Sequence, residues 1–198
     1  MENGFLAIIN SYWGKFRIPS NRYKNWNYAS PGLYFVTICI QDRIHWFGEV
    51  REKKMHLSEI GRIVEKYLKE IPIHFPNAFL DTHVIMPDHI HAIINILPNP
   101  AMTQSVETRE SRVSTEKIRT TSGLRPLSLG SMLNQFKSVC TKHIRNLGHD
   151  NFQWQPRFHD RLIRTKKEYK AIRQYIEENP SQWETKTERK SYGFLFSP

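Results

Sequence analysis

Three stretches of this sequence place reactive side chains at spacings that chemistry can use. The first is Met86-Pro87-Asp88-His89-Ile90-His91-Ala92. On a strand, residues two apart share a face. His89 and His91 would then present two imidazoles side by side, with Ile90 turned into the opposite layer. Adjacent neutral imidazoles make a half-site for a divalent cation; the plainer reading is two surface histidines that share a face. The second stretch runs from Tyr169 to Pro180. Residues four apart share a helix face, so Tyr175 and Asn179 point the same way. A phenol and an amide so placed could serve as nucleophile and third metal ligand, or simply as a core tyrosine and a C-capping asparagine before Pro180. The third is Trp154 to Arg164, where Arg157, Arg161 and Arg164 interleave with Trp154 and Phe158. Guanidinium forks with stacking rings suit an unpaired nucleic-acid strand, and a solvated sheet edge has the same composition.

The surrounding pattern indicates the elements that must hold these groups. Leu33–Ile40 is rich in β-branched and aromatic residues and reads as a strand after the Pro31-Gly32 turn. Trp46–Val50 and Met55–Leu57 read as short strands joined by the charged turn Arg51–Lys54. Ser58 would cap a helix from Glu59 to about Ile71, with Ile60, Ile63, Val64, Tyr67 and Leu68 at helical spacing and Pro72 beyond its end. Ala78–Met86 and His89–Leu97 read as a hairpin around Pro87-Asp88, which puts the histidines at its tip. Leu127–Leu147 is a helix with Leu129, Met132, Leu133, Phe136, Val139, Cys140 and Ile144 on one face. Phe152–Trp154 and Phe158–Ile163 are expected to be extended, and Lys166–Glu178 to be a helix ended by Asn179-Pro180. Between about 98 and 123 the chain is rich in Ser, Thr, Glu and Arg and poor in large apolar residues, which suggests a flexible insertion. A single domain over 1–198 is expected, with that insertion and a short polar tail from about 184. The alternation of strands and helices suggests an α+β fold, an antiparallel sheet packed with helices on one or both faces.

Composition narrows the partners. Lys plus Arg number 29 against 19 acids, a net charge of +10. A field of that sign favours polyanions, nucleic acid first among them. Arg22 and Lys24, among aromatic residues near the start, add to the basic side chains, as does Lys137. No apolar run approaches the roughly 20 residues of a spanning helix, and no signal-peptide pattern opens the chain. A cytoplasmic location and no membrane partner are expected. Cys39 and Cys140 each lie in an apolar stretch and read as small core residues.

Taken in order, these features resemble the REP-associated tyrosine transposases, a branch of the single-tyrosine HUH transposases. The likeness covers most of the chain. It starts at Pro31-Gly32-Leu33-Tyr34-Phe35-Val36-Thr37-Ile38-Cys39 and includes Val84 to His91 with its His-hydrophobic-His pair. It continues through Ser128-Leu129-Gly130-Ser131, Phe136-Lys137-Ser138 and Trp154-Gln155-Pro156-Arg157-Phe158. It closes on Tyr175-Ile176-Glu177-Glu178-Asn179-Pro180 and Gln182-Trp183. The resemblance implies a ferredoxin-like HUH fold, with Tyr175 as nucleophile and His89, His91 and Asn179 around Mg²⁺ or Mn²⁺. It implies cleavage and rejoining of single-stranded DNA through a 5′-phosphotyrosine at hairpin-forming repeats, with a homodimer as one arrangement. Arg22, Lys24, Lys137, Arg157, Arg161 and Arg164 are the candidate DNA contacts. The family often has an acid followed by His after the Trp-Gln stretch; here Asp160 is followed by Arg161. Two other readings stay open: a hairpin-DNA-binding module without catalysis, and a metal hydrolase that uses bound water.

Overall fold

A computed structural model describes residues 30–98 and 126–195, with side chains as far as Trp183. Arg22, Lys24 and nearly all of the expected insertion lie outside the described residues. The chain forms β1 (Gly32–Cys39), β2 (Gly48–Arg51), β3 (Lys54–Leu57), α1 (Glu59–Lys69), a short α2 (Ile71–His74), β4 (Ala78–Met86), β5 (His89–Ile96), α3 (Leu129–Asn146), β6 (His159–Ile163) and α4 (Lys166–Leu195). β4, β5, β1 and β6 make one sheet in that order, and every neighbouring pair is antiparallel. Without the β2–β3 hairpin and α4, the path is β-α-β-β-α-β, the ferredoxin-like plan that was expected.

Strand alternation divides the interior. One face of β1 and β5 carries Tyr34, Val36, Ile38, Ile90, Ala92, Ile94 and Ile96, packed with Val64 and Leu68 of α1 and Leu133 and Phe136 of α3. The other face carries Phe35 and Ile93, which pack with Ile163 of β6 and Ile172 and Ile176 of α4. Helices therefore cover both faces. Because His89, His91 and Ile93 alternate with the first set, both histidines face α4.

The local signals explain most boundaries. The Ser58 hydroxyl accepts from Gly61 N at 3.0 Å, so the expected N-cap of α1 is in place. α1 also stops where its pattern stops. Ser128 caps α3 in the same way, at 3.3 Å from Ser131 N. The β2–β3 turn uses Glu52 and Lys53 at φ 50 and 61, a left-handed pair more often filled by Asn-Gly. Gly61 is there for closeness, since a Cβ at that position would stand 2.2 Å from Phe47 O.

Two features depart from the expectation. Pro180 does not end the last helix. α4 runs from Lys166 to Leu195 with Pro180 inside it, so the expected tail from about 184 is helical. Proline removes one backbone donor and strains one turn. Here the Ser181 hydroxyl bonds Glu178 O at 2.7 Å, and Glu178 accepts from Gln174 and Gln182 on either side, which ties the interrupted turn together. The second departure is a register shift in β4 between Leu80 and Thr82. It sends Asp81 toward α4, where Arg173 donates to it at 3.3 Å. The Asp81 bond docks α4 against the edge of the sheet, and Arg173 is steadied within α4 by Glu177 and the Tyr169 hydroxyl.

Candidate active site

The hairpin tip is held from below. Ile40 N donates to Asp88 O at 2.9 Å, and Phe47 N donates to Pro87 O at 3.1 Å. The turn between β4 and β5 is thus bonded to the segment after β1. Above it, α4 places Tyr175, Asn179 and Trp183 at intervals of four, one stripe along the helix. The stripe lies over the histidines. The Tyr175 hydroxyl is 3.2 Å from His91 Nε2, and the Trp183 ring is 5.7 Å from the His89 ring. The two imidazole centroids are 4.6 Å apart. Phe35 stacks on His91 at 5.3 Å and meets Tyr175 edge-on at 6.3 Å.

The cluster is well buried for one so polar. Asp88, His89, His91 and Asn179 are 2%, 4%, 6% and 5% exposed. Such groups are costly unless bonded, and each imidazole has a partner at Nδ1. His89 Nδ1 lies 2.5 Å from Asp88 Oδ1, and His91 Nδ1 lies 2.8 Å from Thr37 Oγ1, its cross-strand neighbour on β1. Arg43 approaches the second Asp88 oxygen at 3.4 Å. Burial would push the Asp88 carboxyl up, but the His89 bond and the charges of His89 and Arg43 outweigh it and hold it below its ordinary value. Burial raises the Tyr175 phenol above its ordinary value, opposed in part by a hydrogen bond with the Asn179 side chain. Tyr175 therefore rests as the neutral phenol at neutral pH.

The four residues expected to carry chemistry, Tyr175, His89, His91 and Asn179, come together. Among the described residues, the expected basic contacts Lys137, Arg157, Arg161 and Arg164 are not part of that cluster. Lys137 lies on α3, where its ammonium donates to Gln155 O at 2.8 Å and Arg157 O at 2.9 Å. It braces the segment that leads into β6. Arg161 sits opposite Phe35 on the α4 side of the sheet and pairs with Glu168 at 2.6 Å. Arg157 and Arg164 are exposed, and Arg157 holds a left-handed φ of 67.

Sequence reading missed Asp88, Thr37, Arg43 and His159. Asp88 was visible only as a turn residue, and Thr37 becomes meaningful only once β1 pairs with β5. His159 is the cross-strand partner of Thr37, so it shares the histidine face. Burial and the Arg43 charge lower its pKa against the opposing Asp160.

Among the described residues no three His, Cys, Asp or Glu side chains form a group able to hold a metal. A cation here would rest on two imidazoles and the Asn179 amide. That mixed N/O set would suit Mg²⁺ or Mn²⁺ with positions left for phosphate and water, and with both Nδ1 atoms engaged, ligation would fall to the Nε2 atoms. Among the described residues no helix is long and apolar enough to cross a membrane.

No family model matches the sequence. An uncharacterized protein of Haemophilus influenzae is 32% identical over 172 residues, 83% of this chain and 89% of that protein. Among solved structures, a REP-associated tyrosine transposase bound to a REP hairpin is similar at a TM-score of 0.52 and 19% identity, over 80% of this chain and 72% of that one. The chain belongs to one family with the Haemophilus influenzae protein, and its fold is that of the REP-associated tyrosine transposase.

Proposed function

We propose that this protein cleaves and rejoins single-stranded DNA at hairpin-forming repeats through a covalent bond to Tyr175. The observation that carries the reading is the contact of Tyr175 Oη with His91 Nε2 at 3.2 Å, with His89 beside it and Asn179 one helical turn along. A phenol, two imidazoles and an amide meet in one cluster, with the imidazoles and amide buried and Tyr175 partly so. The hairpin bound by the structurally similar transposase, together with the charge of +10, supports a hairpin-forming single strand as substrate.

The chemistry exchanges one phosphodiester for another. The Tyr175 oxygen attacks phosphorus, the P–O3′ bond breaks, and the 3′-oxygen leaves as a hydroxyl with a proton. The 5′-phosphate stays on the phenol oxygen, and a second 3′-hydroxyl reverses the step and returns the proton to Tyr175. Bond energy is retained throughout, so no nucleotide cofactor is needed. A Mg²⁺ or Mn²⁺ ion held by His89, His91 and Asn179 would neutralise developing charge on the phosphate and favour the phenolate. The protein's own part is positional. Phe35 and the α4 packing fix the Tyr175 ring, Asn179 bonds its oxygen, and burial excludes competing water.

Tyr175 meets His91 of the same chain, which supports a site complete within one copy. The exposed Arg157 and Arg164 remain candidate strand contacts, while the bonds of Lys137 favour a structural role for it. The test uses labelled single-stranded DNA from repeat-containing flanks of the gene, with Mg²⁺ or Mn²⁺, on a denaturing gel. Wild-type protein should give a shifted covalent band that EDTA and Tyr175→Phe each abolish. An adduct of unchanged yield in Tyr175→Phe would refute the assignment. Tight hairpin binding without any adduct would instead favour the binding module.

A further inference from the structure

An imidazole can ligate a metal through either nitrogen, and its ring can flip, so something must choose. The two histidines of this site are held differently. Thr37 is a hydroxyl that both donates and accepts, so it steadies the His91 ring without fixing which nitrogen carries the proton. Asp88 is a carboxylate, which when ionised only accepts. Its Oδ1 lies 2.5 Å from His89 Nδ1. Its other oxygen faces Arg43 at 3.4 Å, and its backbone carbonyl is bonded by Ile40 N. The carboxylate is buried, faces Arg43 on its far side and stands on a backbone bonded to Ile40, so it offers the ring a fixed acceptor.

We propose that Asp88 is the positioning residue of the site: it holds the proton on His89 Nδ1, commits Nε2 to the cation and raises the basicity of that nitrogen, with Arg43 holding the carboxylate in place. This rests on the reading of His89 as a cation ligand. Partners of this kind behind a metal-bound histidine are worth about 10–100-fold in metal affinity. The charge matters as well as the geometry. An amide at position 88 could still accept from Nδ1–H, but it would supply no negative charge and would leave Arg43 facing a neutral group.

The experiment is Mn²⁺ titration of the full chain without DNA, read by electron paramagnetic resonance of the free ion. It is paired with ¹⁵N NMR of the metal-free histidine side chains and with hairpin binding in EDTA. Wild type should bind Mn²⁺ and show His89 protonated at Nδ1. Asp88→Ala should bind Mn²⁺ about 10–100-fold more weakly, show His89 as a mixture of tautomers, and keep its EDTA hairpin affinity. Asp88→Asn, nearly isosteric, should fall between the two and stands in should Asp88→Ala not fold. Wild-type Mn²⁺ affinity with an unchanged His89 tautomer in a folded Asp88 variant overturns the proposal alone. No Mn²⁺ binding by the wild type overturns the cation reading, and the proposal with it.

Discussion

Removing the Tyr175 hydroxyl should tighten cation binding. The Tyr175 hydroxyl sits 3.2 Å from His91 Nε2, and Thr37 holds the other ring nitrogen at 2.8 Å. A cation that takes His91 through Nε2 must displace the phenol from that nitrogen. The two partners therefore compete, and a competitor's removal strengthens the remaining one by the free energy of the lost contact. A net hydrogen bond contributes about 0.5–1.5 kcal/mol. This one is long for O–H···N, so the lower half of that range applies, or about a 2–5-fold tighter Kd. Tyr175→Phe keeps the ring packed edge-on against Phe35 at 6.3 Å, so the substitution tests the hydroxyl and little else. The assay is Mn²⁺ affinity without DNA for both proteins. Equal affinity would mean that cation and phenol do not share His91. Weaker affinity in Tyr175→Phe would mean that the phenol oxygen is itself a ligand. Either result refutes the competition. The expected result would mean that cation loading frees Tyr175 for its attack.

Two further outcomes follow from groups outside the pair. Lys137→Ala should destabilise the fold by about 2 kcal/mol, because it strips two backbone carbonyls of a charged donor; urea denaturation measures this, and a stability matching wild type alongside a large loss of DNA affinity would return Lys137 to the DNA contacts. Stability should also fall with acid. His83 and His159 both have pKa values below 6.5 in the folded chain, burial being the main cause for each. The unfolded state then binds more protons, so their contribution is full above about 6.5 and is lost as pH falls through the folded values. Thermal melts from neutral to mildly acidic pH should show the loss, and His159→Gln should flatten it; an acid slope unchanged in that variant would rule His159 out.

How much of the site could be read in the chain depends on the range of the interaction. His89 and His91 share a face because of a period of two, Tyr175 and Asn179 because of a spacing of four, and Ser58 caps α1 three residues ahead of Gly61. All are local and all are in place. The α+β sheet followed from apolar runs in β1, β4 and β5, whose buried faces leave few other arrangements. The misreadings have different causes. Asn179-Pro180 carries a genuine stop signal, and local rules favour ending the helix there. The helix continues because Ile172, Ile176 and Asn179 are already seated against the sheet and Glu178 gathers the broken turn. The stripe that ends at Trp183 exists only because of that continuation, so one boundary error concealed an aromatic neighbour of His89.

Lys137 shows the opposite limit. Its position in a basic, aromatic sequence is the same whether the ammonium meets a phosphate or two carbonyls. Only the path of residues 155–157 past α3 decides between them. Asp88 and Thr37 were hidden for a related reason. A turn aspartate and a strand threonine are common, and each gains its meaning from one nitrogen on a ring brought to it by pairing. The reacting groups of this site announce themselves by spacing along one element, whereas the groups that orient them are set by contacts between elements. Sequence reading therefore finds the candidate nucleophile and ligands before it finds the groups that orient them. The difference between Asp88 and Thr37 is where the two histidines, alike in sequence, become unequal: one ring faces a carboxylate that only accepts, and the other lies between a hydroxyl that can do either and the Tyr175 phenol.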